Sequence, residues 1–136
     1  MSLRKRLALI SVAALLGLAG CGGESEKEDE ADAKAVVKKF LSSLAGSNGE
    51  EACAQLNESG EREVGADPLG TPSCVEALQP QTAGLKDKRR NQLRKIDPQV
   101  QVDGDRATAT YRDGGKRKKI TLEKDDDGEW KIAKLR

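Results

Sequence analysis

The chain has no histidine and only one residue each of tryptophan, tyrosine and phenylalanine. Without an imidazole, the most versatile general base at neutral pH and the commonest zinc ligand are both missing. Two isolated thiols, Cys53 and Cys74, do not complete a tetrahedral zinc shell by themselves. Phe40, Tyr111 and Trp130 are too few to build a base-stacking platform, and each is read as a core or pocket-lining residue. Long apolar runs are also absent. The longest, Leu7 to Leu18 with Ser11 and Gly17 interrupting, falls short of the roughly 20 residues that cross a bilayer. No nucleophile elbow, phosphate loop or dinucleotide fingerprint occurs. The Asp125-Asp126-Asp127-Gly128-Glu129 turn is too short for a calcium loop, so no metal and no cofactor is expected.

The apolar run has a basic start at Arg4, Lys5 and Arg6, and it ends at Leu18-Ala19-Gly20-Cys21. This resembles a bacterial lipoprotein signal with its lipobox. The resemblance implies cleavage between Gly20 and Cys21, a thioether-linked diacylglycerol on Cys21, and a mature chain held on the outer face of a cell membrane. Two acyl chains give stable anchoring where one gives only marginal binding. Of the 24 lysines and arginines three precede Cys21, whereas all 23 acids follow it. The mature side chains therefore sum to about −2 at neutral pH. That balance in an exported chain argues against nucleic acid as a partner. With Cys21 assigned to lipid, Cys53 and Cys74 remain as a pair in an oxidising compartment, read as a disulfide, with two buried free thiols as the alternative.

Gly22 to Glu30 is acidic and lacks an apolar anchor, which predicts a disordered tether over 21–30. A single folded body is expected over 31–136. Val36, Val37, Phe40, Leu41 and Leu44 recur at helical spacing, with Lys34, Lys38 and Lys39 off the stripe, so an amphipathic helix ends near Gly46. Ser47-Asn48-Gly49-Glu50 reads as a capping box opening a second helix through Cys53 and Leu56. After a Gly- and Pro-rich connection over 65–72, Ser73-Cys74-Val75-Glu76 reads as another, opening a helix that carries Val75 and Leu78. Residues 84–97 show no decisive period. Beyond Pro98 the period becomes two, through Val100 and Val102, Ala107 to Tyr111, Ile120 and Leu122, then Trp130 and Ile132. Turns at Asp103-Gly104, Asp113-Gly114-Gly115 and Asp127-Gly128 separate four antiparallel strands. The class is α+β, with N-terminal helices packed on a curved antiparallel sheet.

Several segments in this order carry a further resemblance. They are Val36-Val37-Lys38-Lys39-Phe40-Leu41, the spacing from Glu51-Ala52-Cys53 to Ser73-Cys74, Val102 to Ala109, and Asp127-Gly128-Glu129-Trp130-Lys131-Ile132. Over 31–136 the chain resembles the nuclear transport factor two-like superfamily, the cystatin-like, cone-shaped fold shared with ketosteroid isomerase and related dehydratases. The resemblance implies a pocket at the wide end of the cone, where the enzymes carry Asp, Tyr or His. Here Tyr111 lacks an evident acidic companion at a matching inward position. The function expected is non-catalytic binding of a small apolar ligand or an envelope protein partner, in a pocket drawn from Phe40, Tyr111 and Trp130. An isomerase or dehydratase is the alternative. A third reading is a structural, cell-wall-associated lipoprotein, held through a basic patch of Arg89, Arg90, Arg94, Lys116, Arg117 and Lys118.

Overall fold

The computed structural model describes residues 22–136. The segment read as a signal, the expected cleavage between Gly20 and Cys21 and the expected lipidation of Cys21 lie outside the described residues. Five helices precede four strands: α1 Gly22–Ala45, α2 Gly49–Cys53, α3 Glu58–Glu63, α4 Cys74–Ala83, α5 Asp87–Lys95, then β1 Gln99–Asp103, β2 Arg106–Asp113, β3 Lys116–Lys124 and β4 Trp130–Leu135. The strands form one antiparallel meander in the order β1-β2-β3-β4, so the class is α+β as the pattern predicts.

The period-two pattern sorts the sheet into two faces. Ala107 lies opposite Leu122 and Ala109 opposite Ile120; all four are buried against the helices. Thr108 opposite Thr121 and Arg112 opposite Arg117 fall on the other face. The helical stripe of α1, with Ala33, Val37, Phe40, Leu41 and Ala45 buried, covers the inner face. Burying such side chains contributes roughly 1.5–3 kcal/mol for each large one, the main favourable term in a body this poor in aromatics.

The tether prediction is corrected. Gly22 to Glu30 forms the opening turns of α1 and not a disordered spacer. Glu, Lys and Ala favour helix, and Asp29 adds a tertiary anchor. Its carboxylate lies 2.8 Å from the Lys124 ammonium and accepts a 3.3 Å hydrogen bond from the Trp130 indole. The long-range contact overrides the composition.

The first predicted capping box is displaced by one residue. Ser47 takes a left-handed backbone (φ 56°), and Asn48 is the cap, accepting from the Glu51 amide. The second helix stops at Cys53, and Leu56 leaves it to form a parallel bridge with Ile132. The Ile132 amide donates to Gln55 and its carbonyl accepts from Asn57, which covers the β4 edge of the sheet. Asn57 then caps α3, a short helix that the polar run Glu58–Glu63 does not signal by periodicity. The Ser73/Glu76 capping box is present as read. Cys74 follows it in the first turn of α4 and forms the disulfide with Cys53. The bond closes the 65–72 connection, a loop whose constraint is worth about 3 kcal/mol in the chain-entropy model. On α4 Leu78 is buried, whereas Val75 is 41% exposed.

Among the described glycines Gly60 is the most tightly enclosed. A Cβ there would collide with the Ile132 carbonyl oxygen. Gly60→Ala is therefore expected to destabilise by about 2 kcal/mol or more, because backbone and not a flexible side chain has to move. A denaturant midpoint indistinguishable from the parent's would contradict this packing.

Candidate functional site

Residues 84–97 resolve into α5, which buries one large side chain, Leu93. Two adjacent arginines hold it in place. The Arg90 guanidinium donates to the carbonyls of Leu85, Ala45 and Thr82 and to the Ser47 hydroxyl. It thereby satisfies carbonyls at the ends of α1 and α4, as a cation at helix C-termini does. Arg89 reaches the other way and donates through both terminal nitrogens to the two carboxylate oxygens of Asp113, at the end of β2.

Two hollows meet at Asp113 and Tyr111, which line both, while Arg89 lines only the first. The first is an apolar pocket of about 290 Å³ between α1, α4, α5 and the sheet. Phe40, Leu44, Leu78, Leu93 and Ile120 line it, with Tyr111, Gln81, Arg89, Asp113, Lys118 and Arg136 as its polar members. The second is an open groove of about 590 Å³ outside α5, lined by Lys95, Asp97, Tyr111, Arg112, Asp113 and Arg117 among others. The groove exists because β1 starts at Gln99, opposite Thr110, and leaves the last residues of β2 without a partner on that side.

Phe40 and Tyr111 both line the apolar pocket. Trp130 does not join them. It is buried beside Asp29, with the Lys124 ammonium 5.1 Å from its ring centroid, and borders a different hollow with Asp32 and Val36. The indole carries a polar donor that needs a buried partner, and Asp29 supplies it there.

Tyr111 does have an acidic companion, contrary to the sequence reading. Asp113 stands two residues on, on the same inward face as Ala107 and Ala109. Asp-Gly-Gly reads as a turn, yet β2 runs through Asp113 before Gly114 and Gly115, both at positive φ, reverse the chain as a type I′ hairpin. Extending the alternation by one step finds this residue. Leu78 was visible as a core position, whereas Gln81, Lys95 and Arg112 carried no signal of sharing a hollow with Tyr111.

The electrostatics set what the pair can do. Hydrogen bonds from Arg89 hold the Asp113 carboxyl below its ordinary range against the opposing effect of burial. Burial, followed by the Asp113 charge, pushes the Tyr111 hydroxyl up. At neutral pH Asp113 is a carboxylate with both oxygens engaged, a weak base, and Tyr111 is a neutral hydroxyl able to donate. Of the predicted basic patch, Arg89 and Arg90 are taken up by internal partners. Arg94, Lys116, Arg117 and Lys118 have no salt-bridge partner among the described residues. The Arg89–Asp113 pair does bring α5 to the β2–β3 hairpin, so the two basic clusters are neighbours. No group of acids and thiols among the described residues is arranged to hold a metal ion.

A carboxyl held low in the folded state stabilises the fold fully above its unfolded value, about 3.9, and that contribution is lost as pH falls through the folded value. Stability should thus be level from pH 7 to about pH 5 and fall below about pH 4. Asp113→Asn is expected to be less stable at pH 7 and to show a shallower acid limb. Identical acid limbs for parent and variant would contradict the ionised pair. Searches with this chain return no matching family model, curated protein or solved structure.

Proposed function

We propose that this chain is an extracytoplasmic lipoprotein, anchored through Cys21, whose nuclear transport factor two-like domain binds a small apolar ligand. The observation that carries the reading is the pocket between Phe40, Leu78 and Ile120. It is mostly apolar, with a few polar groups converging on one side, as ligand sites generally are. Its volume of about 290 Å³ falls just below the usual range of about 300–1,000 Å³, which suits a small ligand only. Arg89 is already neutralised by Asp113, so Lys118 and Arg136 supply the other positive charges at the pocket and Tyr111 a neutral donor. A short apolar molecule with one acidic or hydrogen-bond-accepting end fits this set.

The isomerase or dehydratase reading gains a Tyr–Asp neighbour pair but loses its base. General-base catalysis by a carboxylate is served by a raised pKa and a free oxygen. Asp113 is held low and is gripped at both oxygens by Arg89. Binding without turnover is the better account of that arrangement.

Anchoring through Cys21 would place the lipid directly before α1. The helix begins at Gly22, and its Asp29 is clamped to β3 and β4. The domain would then be carried on a helix, not swung on a flexible strand.

Native mass spectrometry of the full chain, extracted in detergent from the cells that make it, tests both parts. The expected result is a mass carrying diacylglycerol on Cys21 plus a non-covalent adduct. Leu44→Lys, which brings an ammonium to the pocket lining, should lose the adduct and keep the lipid. An adduct that survives Leu44→Lys, or none in the parent, would overturn the pocket reading. An intact residue 1–20 segment would overturn the anchor. Turnover abolished by Tyr111→Phe would favour the enzyme.

A further inference from the structure

The groove outside α5 has a charge imbalance that the fold leaves uncompensated. Both acids along it are already engaged, Asp113 by Arg89 and Asp97 by the ammonium of Lys34 at 2.8 Å, with Lys38 at 3.9 Å. Its three other charged members, Lys95, Arg112 and Arg117, have no salt-bridge partner among the described residues. Arg112 and Arg117 also stand directly opposite each other across β2 and β3. Like charges in that position disfavour the strand pairing, and their Cβ atoms lie only about 4.5–5.5 Å apart. A single phosphate group, with several acceptor oxygens, takes donors from both guanidinium forks at once and removes the repulsion.

We propose that the groove binds an extended phosphodiester polymer without nucleobases, with Arg112 and Arg117 gripping one phosphate and Lys95 the next. The groove's 590 Å³ exceeds what a lone phosphate ion fills, and its open form suits a chain passing through. Further cations continue along the hairpin at Lys116 and Lys119, both exposed. Nucleobases lack a platform here. Tyr111 is the one aromatic that reaches the groove, and it is half-buried and shared with the apolar pocket.

On the proposed anchoring through Cys21, a membrane surface is the wrong shape and stands at the wrong end. The Asp113–Lys116 hairpin lies at the end of the sheet opposite the β3–β4 turn, and α1 starts beyond that turn, where Asp29 meets Lys124 and Trp130. The turns at the α1 end carry Asp103, Asp105, Asp125, Asp126 and Asp127. The domain is therefore basic at one end and acidic at the other, and the groove belongs to the basic end. This assignment does not depend on the ligand proposed for the apolar pocket.

The test uses the full chain in non-ionic detergent with inorganic polyphosphate as the probe, read by calorimetry. Saturable binding is expected, weakened about tenfold in R112Q/R117Q, with a smaller salt dependence because fewer counterions are exchanged. The charge-matched control K27Q/K134Q, at exposed positions outside the groove, should bind like the parent. Lys95→Gln, on a different element, should weaken binding severalfold and keeps the assignment testable if the double variant folds poorly. Removing the Arg112–Arg117 repulsion should leave the melting temperature unchanged or raised. Equal loss in the control, no saturable binding, tighter binding of a single-stranded oligonucleotide, or displacement by phosphatidylglycerol vesicles would each overturn the proposal.

Discussion

The double hydrogen-bonded pair between Arg89 and Asp113 is the contact on which the two hollows depend. A helix usually docks by burying an apolar stripe, and α5 has little to bury beyond Leu93. Burying that leucine contributes roughly 1.5–3 kcal/mol, a modest hold on a nine-residue helix. Charge-assisted hydrogen bonds make up the difference. Arg90 fastens the start of α5 to the ends of α1 and α4, and Arg89 fastens its outer side to the last residue of β2. Without the second link nothing polar ties α5 to the hairpin, and the wall between pocket and groove has no fixed position.

That wall also sorts the chemistry on its two sides. By engaging both oxygens of Asp113, Arg89 removes one base from the pocket and one free acid from the groove. The pocket is left mostly apolar with Tyr111, Lys118 and Arg136 among its polar members, and the groove is left with unopposed cations. The two hollows therefore adjoin at Asp113 and Tyr111, the residues that line both.

Much of the architecture was legible because it rests on periodicity. The α1 stripe, four strands, their turns and the Ser73 cap follow from spacing alone, and the Cys53–Cys74 disulfide follows from the cysteine count. What escaped was decided by contacts between distant residues. Gly22–Glu30 has the composition of a tether, yet Asp29 finds Lys124 and Trp130 about a hundred positions away in sequence. Basic-rich α5 shows no decisive period in the sequence, yet two of its arginines are structural. At the site, Phe40 and Tyr111 line one hollow, whereas Trp130 borders another. Asp113 was missed because its turn chemistry masked its place in the strand alternation.

The account stands on the energetic reality of the Arg89–Asp113 link, which a double-mutant cycle of Arg89→Met and Asp113→Asn measures directly. Arg89 is 37% exposed and Asp113 15%, so solvent screening reduces the full value of a charged hydrogen-bonded pair. A coupling of about 1–2 kcal/mol is expected at pH 7 by equilibrium unfolding, fading as Asp113 is protonated in acid. Additive single-variant effects at pH 7, with no coupling, would contradict the claim that this pair holds α5 and separates the two sites.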